Sequence, residues 1–437
     1  MNLCVFLSLA ITVSTGSFVL GVVALVLLMS YVLAGMFGPM PRYDIRDKDE
    51  IPANDTPPFL LLLSSLVDAA INRTGRLDVY TNGPAFYPAI LDAFRSAQRS
   101  INLEAYVFQK SEIARQYVEI LTERARAGVQ VNLVLDAFGS VGAPAKIFAP
   151  LLQAGGKVAR YNRLTWYHLF SMDNRTHREL VIVDGKQGFI GGAGVADEWF
   201  TGTSGKPIWR DTMIRVEGEA VANLQATFME NWLQAAGELL VGSAYFPDIK
   251  CPDAMTALIV NSTPTIGGST RARILMQLLI ASATRNIAIT TPYFLPDKTL
   301  RRELCRAVER GVKLRILAPG MKSDHMLTRS TSRGAYGELL KAGAEVYEYQ
   351  PSMIHAKVLI VDELWAVVGS TNFDNRSFGI NDEVNLAVRD RAVAQRLGAD
   401  FTADLHKSQR ITLDDWHRRP LTERATELLG WAIERQQ

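Results

Sequence analysis

Cysteine is scarce in this 437-residue chain, with only Cys4, Cys251 and Cys305. No two of them stand at zinc-site spacing, and a Cys251–Cys305 bridge is less expected than two free thiols. An excess of either charge is also missing: 47 Lys and Arg stand against 45 Asp and Glu, a net of +2. Binding along a phosphate backbone normally needs a concentrated basic surplus, so nucleic acid is not an expected partner. Most telling is the absence of any charged side chain before Arg42. Within that stretch Ser17 to Phe37, SFVLGVVALVLLMSYVLAGMF, is long enough to cross a bilayer as one helix, which takes about 20 residues. A cleaved signal peptide would want a basic start and a shorter apolar core. A hairpin of two short spans turning at Thr15-Gly16-Ser17 is a further reading. The single anchor, residues 1–41, is the expectation adopted. Arg42, Arg46 and Lys48 follow it and no basic side chain precedes it, which places the body of the chain in the cytoplasm by the positive-inside rule.

Residues 42–72 are rich in Pro and charge and read as a linker. Beyond them strand and helix patterns alternate. INLEAYVF (101–108) reads as a strand, EIARQYVEILTERARAG (112–128) as a helix with a Gly stop, and VQVNLVLDAFGS (129–140) as a strand entering a turn. IAITTPYF (287–294), TLRRELCRAVERG (299–311) and VKLRILAPG (312–320) repeat that order. The fold class expected is α/β: two similar domains, 73–245 and 246–437, packed about a pseudo-two-fold axis.

Each copy ends in a histidine strand, HRELVIVDGKQGFIGG (177–192) and HAKVLIVDELWAVVGS (355–370). Side chains at i and i+2 of a strand share a face, so His355 and Lys357 point the same way. That pair suits a phosphate: the ammonium holds the oxyanions while the imidazole attacks or moves a proton. Two copies meeting at a dyad supply one neutral and one cationic imidazole, near the ordinary pKa of about 6.5, with no metal or other cofactor required. His168, His325, His406 and His417 lack such neighbours and read as structural.

With GSTNFDNRSF (369–378), HAKVLIVD (355–362) resembles the His-x-Lys-x-x-x-x-Asp signature of the phospholipase D superfamily and the Ser and Asn after it. The resemblance covers nearly everything past residue 73 and is nearest to the bacterial cardiolipin synthase branch, which carries an N-terminal membrane anchor. It implies transfer of a phosphatidyl group between lipids, typically from one phosphatidylglycerol to the hydroxyl of another, through a phosphatidyl-histidine at a bacterial inner membrane. By the same resemblance His177 matches the nucleophile and His355 the general acid. Lys357 and Asn372 match phosphate ligands with Ser370 beside them, and Asp184 and Asp362 close the two signatures. Glu383 matches a carboxylate hydrogen-bonded to the imidazole of His355, and Asp211 its counterpart for His177.

Two positions depart from that pattern. Glu179 stands where the first motif should have Lys, and Gly194 where it often has Asn. Exchanging a cation for an anion about 6 Å from a phosphate changes the interaction by roughly 5 kcal/mol at an effective dielectric near 20. Arg175, with the same parity as His177, is the nearest replacement cation. Otherwise Glu179 is protonated or paired elsewhere, or His355 is the nucleophile. If Glu179 only fills the place of a lysine, Glu179→Lys should strengthen phosphate binding. A lipid hydrolase, a catalytically impaired lipid binder and a nuclease stay open as alternatives. The C-terminal run 414–437 reads as a helix packed on the domain, or one lying on the bilayer.

Overall fold

The computed structural model of the chain describes residues 19–27, 29–30, 43–163, 174–203, 205–249, 251, 255–264, 270–420 and 423. The first half contributes β1 (Asn72–Thr81), β2 (Ser100–Ala105), β3 (Gln130–Asp136), β4 (Lys157–Tyr161), β5 (Leu180–Val183), β6 (Gln187–Gly191) and β7 (Thr212–Gly218). The second contributes β8 (Met255–Ser262), β9 (Asn286–Thr290), β10 (Lys313–Pro319), β11 (Glu345–Tyr349), β12 (Val358–Val361), β13 (Trp365–Gly369), β14 (Glu383–Arg389) and β15 (Ser408–Ile411). The spatial order is β4-β3-β2-β5-β6-β7-β1 and then β8-β14-β13-β12-β9-β10-β11-β15. Apart from the added β15, the second half is the first read backwards, as a duplicated unit folded about a dyad requires. Leaving β15 aside, the three outer strands of each half run parallel, β2-β3-β4 and β9-β10-β11, and the remaining pairings, that of β15 with β11 included, are antiparallel. A short ladder of Asn72–Thr74 against Met255–Ala257 joins the halves.

Local chemistry accounts for the elements. The helix Glu112–Arg126 starts where Ser111 Oγ accepts the Ala114 N–H. Its Ile113, Tyr117, Leu121 and Ala125, at helical spacing, face the core. It stops before Gly128, whose φ of +89° suits glycine. In the matching helix Lys298–Glu309, Asp297 caps the N–H groups of Thr299 and Leu300. β5 and β12 are buried on both faces, which explains why LVIV and VLIV are continuous apolar runs rather than alternating ones. The helix Ala220–Ala236 and the helix Arg391–Leu405 pack into one apolar cluster drawn from both halves, which includes Leu224, Trp232, Ile360 and Phe401.

Residues 43–72 differ from the linker expected. PPFLLLLSSL forms the helix Pro57–Leu66, which buries Phe59 and Leu63 against the core of the second half. Asn54 donates to Asp362 Oδ2 at 2.7 Å, and its carbonyl accepts from Trp365 Nε1 at 2.8 Å. Lys48, counted above as a juxtamembrane charge, pairs with Glu303 at 2.5 Å. Proline and charge dominated the sequence pattern, while the apolar face inside the segment decided its packing. Of the expected anchor, residues 19–27 and 29–30 are helical and the remainder lies outside the described residues. Among the described residues no helix is long and apolar enough to cross a membrane. Cys251 and Cys305 are both free thiols. Of the C-terminal run, the described part holds the short helix Leu413–His417, started by a capping box of Thr412 and Asp415.

Candidate active site

His177 and His355 each lie just before the strand of their motif, β5 and β12, and both line one cleft of about 410 Å³. Two bridges between the halves bring them there. Thr176 pairs with Asp382, with the His177 N–H donating to the Asp382 carbonyl at 2.9 Å. Arg210 pairs with Ile354, with the His355 N–H donating to the Arg210 carbonyl at 2.7 Å.

These bridges correct the pairing of acid and base expected from sequence. Glu383 follows Asp382, so its carboxylate meets His177: Nδ1 lies 3.0 and 3.1 Å from its two oxygens. Asp211 follows Arg210 and meets His355, with Nδ1 3.0 Å from Oδ2. Each histidine is therefore oriented by a carboxylate of the other half. Both acids are wholly enclosed. Burial alone would raise Glu383, but the attraction and hydrogen bond of His177 and the hydroxyl of Ser370 outweigh it and hold it below the usual carboxylate range. Asp211 is held low by the same contest, through His355 and Lys357. With each Nδ1 so engaged, each Nε2 is the ring nitrogen that can meet substrate, and at His355 the Lys357 Nζ already lies 3.0 Å from it.

The two sites differ in everything else. His355 packs against Trp199 and Trp209, with ring centroids 5.3 and 5.6 Å away. Lys357 Nζ lies 2.8 and 3.0 Å from its ring nitrogens and donates to its carbonyl at 2.8 Å. Burial first, and then the lysine, push the His355 pKa down, favouring the neutral imidazole. Burial brings Lys357 itself down to about 8.

In the first half the place of Lys357 is taken by Glu179, whose Oε1 accepts the N–H groups of Tyr106 at 3.1 Å and Val107 at 3.2 Å. Ile101 faces Val183 as Ile287 faces Val361, so Tyr106 corresponds to Pro292, which has no N–H to give. Ser370 and Asn372 correspond to Gly192 and Gly194. A Cβ at Gly194 would stand 2.6 Å from the Val107 carbonyl and 3.2 Å from Glu179 Oε1. A Cβ at Gly192 would stand 2.9 Å from Asp211 Oδ1. The hydroxyl that Ser370 gives Glu383 at 2.5 Å is replaced by the Trp199 indole N–H, which donates to Asp211 at 2.9 Å. Where the second half has Lys, Ser and Asn the first has Glu, Gly and Gly, and Gly194 leaves room for the Glu179 carboxyl as Gly192 does for that of Asp211. Burial drives Glu179 well above the usual carboxylate range, only partly offset by the two amides and Lys357, so its neutral form is favoured.

Of the other residues singled out, Arg175 and Asn372 line the cleft, and Asn372 Oδ1 has no hydrogen-bond partner. The Arg175 guanidinium stacks over Phe138 at 5.6 Å and donates to the Asn162 carbonyl. Ser370 serves Glu383 and the Val384 N–H instead of facing the cleft. Asp184 and Asp362 do not join the site. They lie beyond the far ends of β5 and β12, seven residues from their histidines, about 23 Å of extended chain. There each carboxylate accepts three successive backbone amides, of Gln98, Arg99 and Ser100 or of Thr284, Arg285 and Asn286. The i to i+7 distance in a strand was the signal that should have separated them from the chemistry.

His325, read above as structural, lines the cleft with Tyr293 and Asp324; His168 lies outside the described residues. Asp374, two residues past Asn372, is a cleft group that the sequence reading missed, and burial pushes it up to about 7.

A family model described as "Cardiolipin synthase, PLD-like domain" matches residues 90–232 and 276–405. The probable cardiolipin synthase YwiE of Bacillus subtilis is 35% identical over 360 residues, 82% of this chain and 71% of that protein. The major cardiolipin synthase ClsA of the same organism is 34% identical over 373 residues, 84% of this chain and 76% of that one. Among solved structures, the phosphatidylserine synthase of Haemophilus influenzae superposes with a TM-score of 0.67 at 12% identity, over 85% of this chain and 97% of its own, which speaks for the shared fold.

Proposed function

The chain belongs to the cardiolipin synthase family of phospholipase D-like proteins and is a phospholipid phosphatidyltransferase, and we propose that it makes cardiolipin from phosphatidylglycerol or a related phospholipid. The observation that carries the mechanism is the pair of histidines in one cleft, each held through Nδ1 by a carboxylate of the other half. His355, whose neutral form is favoured by burial and by Lys357, is the nucleophile: Nε2 attacks phosphorus and the P–O bond to the leaving alcohol breaks. His177, paired with Glu383 and without a lysine in its motif, gives its proton to the departing oxygen. In the second step His177 takes a proton from the acceptor hydroxyl, whose oxygen displaces His355. This exchanges the roles drawn from resemblance, because the motif that lost its lysine is the one suited to proton transfer. Lys357, Asn372 and Arg175 are the phosphate ligands. Glu179, as a neutral acid, donates from Oε2 to a phosphoryl oxygen. The boundaries 73–245 and 246–437, a membrane anchor at Ser17–Phe37 and a cytoplasmic catalytic body are part of the same reading.

A phosphatidyl ester of p-nitrophenol tests the roles, since its leaving group needs no acid. His177→Ala should release about one equivalent of nitrophenolate and retain a phosphatidyl group on His355, while His355→Ala releases none. The reverse pattern would return the nucleophile to His177, and continued turnover by either variant would end the two-histidine scheme.

A further inference from the structure

The loops that follow β3 and β10 occupy equivalent places in the two halves. Val131 faces Ile101 as Leu314 faces Ile287, so Phe138 corresponds to Met321. Both side chains stand in solvent, Phe138 61% and Met321 65% exposed, accompanied by Val141 at 81% and Met326 at 45%. Scattered exposed apolar residues need no explanation, but large ones at matching positions on both sides of a dyad do. Both loops border the cleft: Phe138 carries the Arg175 guanidinium, and Met321 and Met326 flank Asp324 and His325 on the lining. The first loop is firmly built, with Asp136 Oδ1 accepting the N–H groups of Phe138 and Gly139 at 2.8 and 2.9 Å. Gly139 lies so close to Tyr106 that a Cβ there would stand 2.5 Å from its carbonyl. Phe138 is thus held outward.

The cleft wall is polar and aromatic, with Val107 the one aliphatic side chain on its described lining. Its described lining offers acyl chains aromatic faces and a single aliphatic side chain, so the chains of a phospholipid whose phosphorus reaches His355 remain in the bilayer. We propose that Phe138 and Val141 on one side, and Met321 and Met326 on the other, form a two-sided rim that sinks into the membrane surface and seats the cleft mouth on the headgroups. The exposed Lys322, next to Met321, adds attraction for an anionic lipid surface.

This rests on phosphatidyl transfer as the reaction, and the test separates the two. Full-length parent and Val141→Ser/Met321→Ser protein, which leaves Phe138 under Arg175, are assayed on phosphatidylglycerol vesicles and on dihexanoyl phosphatidylglycerol below its micelle concentration. The expected result is at least a tenfold loss of kcat/KM on vesicles, with short-chain transfer within twofold of the parent and melting unchanged. Val141→Leu/Met321→Leu should restore vesicle activity. Equal loss on both substrates, or no loss on vesicles, overturns the rim; a parent inactive on both would instead undo the reaction itself.

Discussion

Replacing Glu179 by lysine, which would restore the ordinary first motif, should impair this protein. An added ammonium about 6 Å from the phosphate, the i to i+2 spacing along a strand, is worth roughly 3 kcal/mol at an effective dielectric near 20. Against that, lysine cannot accept a hydrogen bond. The Tyr106 and Val107 amides, now held by Oε1, would lose their partner at about 1–3 kcal/mol each, roughly 2–6 kcal/mol together. The stem must also fit beside Gly194, where even a Cβ would crowd the Val107 carbonyl. At the middle of its range, about 4 kcal/mol, the lost amide pairing exceeds the electrostatic gain, and it displaces the backbone at Tyr106–Val107 that walls the cleft. Glu179→Gln keeps an oxygen for both amides and an N–H for the phosphoryl oxygen. Labelled transfer at fixed surface concentration, followed from pH 6 to 10 with melting curves, decides it. Glu179→Lys should melt lower and lose at least tenfold in transfer; Glu179→Gln should stay near the parent at neutral pH. In the parent, burial raises the folded pKa, so the acid is neutral below it; as pH rises through it, the acid ionises beside the phosphate and transfer falls. Glu179→Gln lacks that contribution to the alkaline decline. A Glu179→Lys protein that folds normally and transfers faster would refute the reasoning, as would identical alkaline limbs for parent and Glu179→Gln.

Further expectations concern the rest of the site. Because Lys357 is brought down to about 8, its ammonium is lost as pH rises through that value. Affinity for inorganic phosphate, measured by calorimetry, should therefore weaken between pH 7 and 9, and Lys357→Arg should shift that weakening above pH 9. Asp211→Asn should move the ring NMR signals of His355 and Glu383→Gln those of His177; the uncrossed response would contradict the pairing across halves. Asp362→Ala strips an acceptor from three backbone amides and Asn54, so it should cost about 2–4 kcal/mol in chemical denaturation while leaving kcat nearly unchanged at low temperature. Removing residues 1–41 should release the protein from the membrane fraction in high salt.

Much of the fold was legible because it is locally encoded. The helix read over 112–128 spans 112–126, and the strand read over 101–108 covers 100–105, since cap, apolar period and stop agreed. The two histidines were legible because the pattern occurs twice, and Lys357 because it stands two residues from His355 in the complete copy. Partnership between histidine and acid was not, as it depends on bridges between Thr176 and Asp382 and between Arg210 and Ile354, residues 206 and 144 apart, which leave no local signature. The burial of Phe59 and Leu63 was hidden by proline and charge on either side of their helix. Glu179 looked like a lone substitution because its supports, the Tyr106 and Val107 amides and the space at Gly192 and Gly194, come from other segments.

The exchange of carboxylates between halves has an evolutionary consequence. A single ancestral unit could complete its histidine only by meeting a second copy of itself, and both copies would then have been bound to one sequence. Fusing them in one chain removed that bond while keeping each dependent on the other. In one chain the first unit can carry Glu179, Gly192 and Gly194 while the second carries Lys357, Ser370 and Asn372. Produced as separate fragments, the halves should each be inert and recover activity only on reassociation, and an active protein assembled from two first halves would lack Lys357, Ser370 and Asn372 altogether. Duplication here opened a division of labour that a symmetric pair could never have reached.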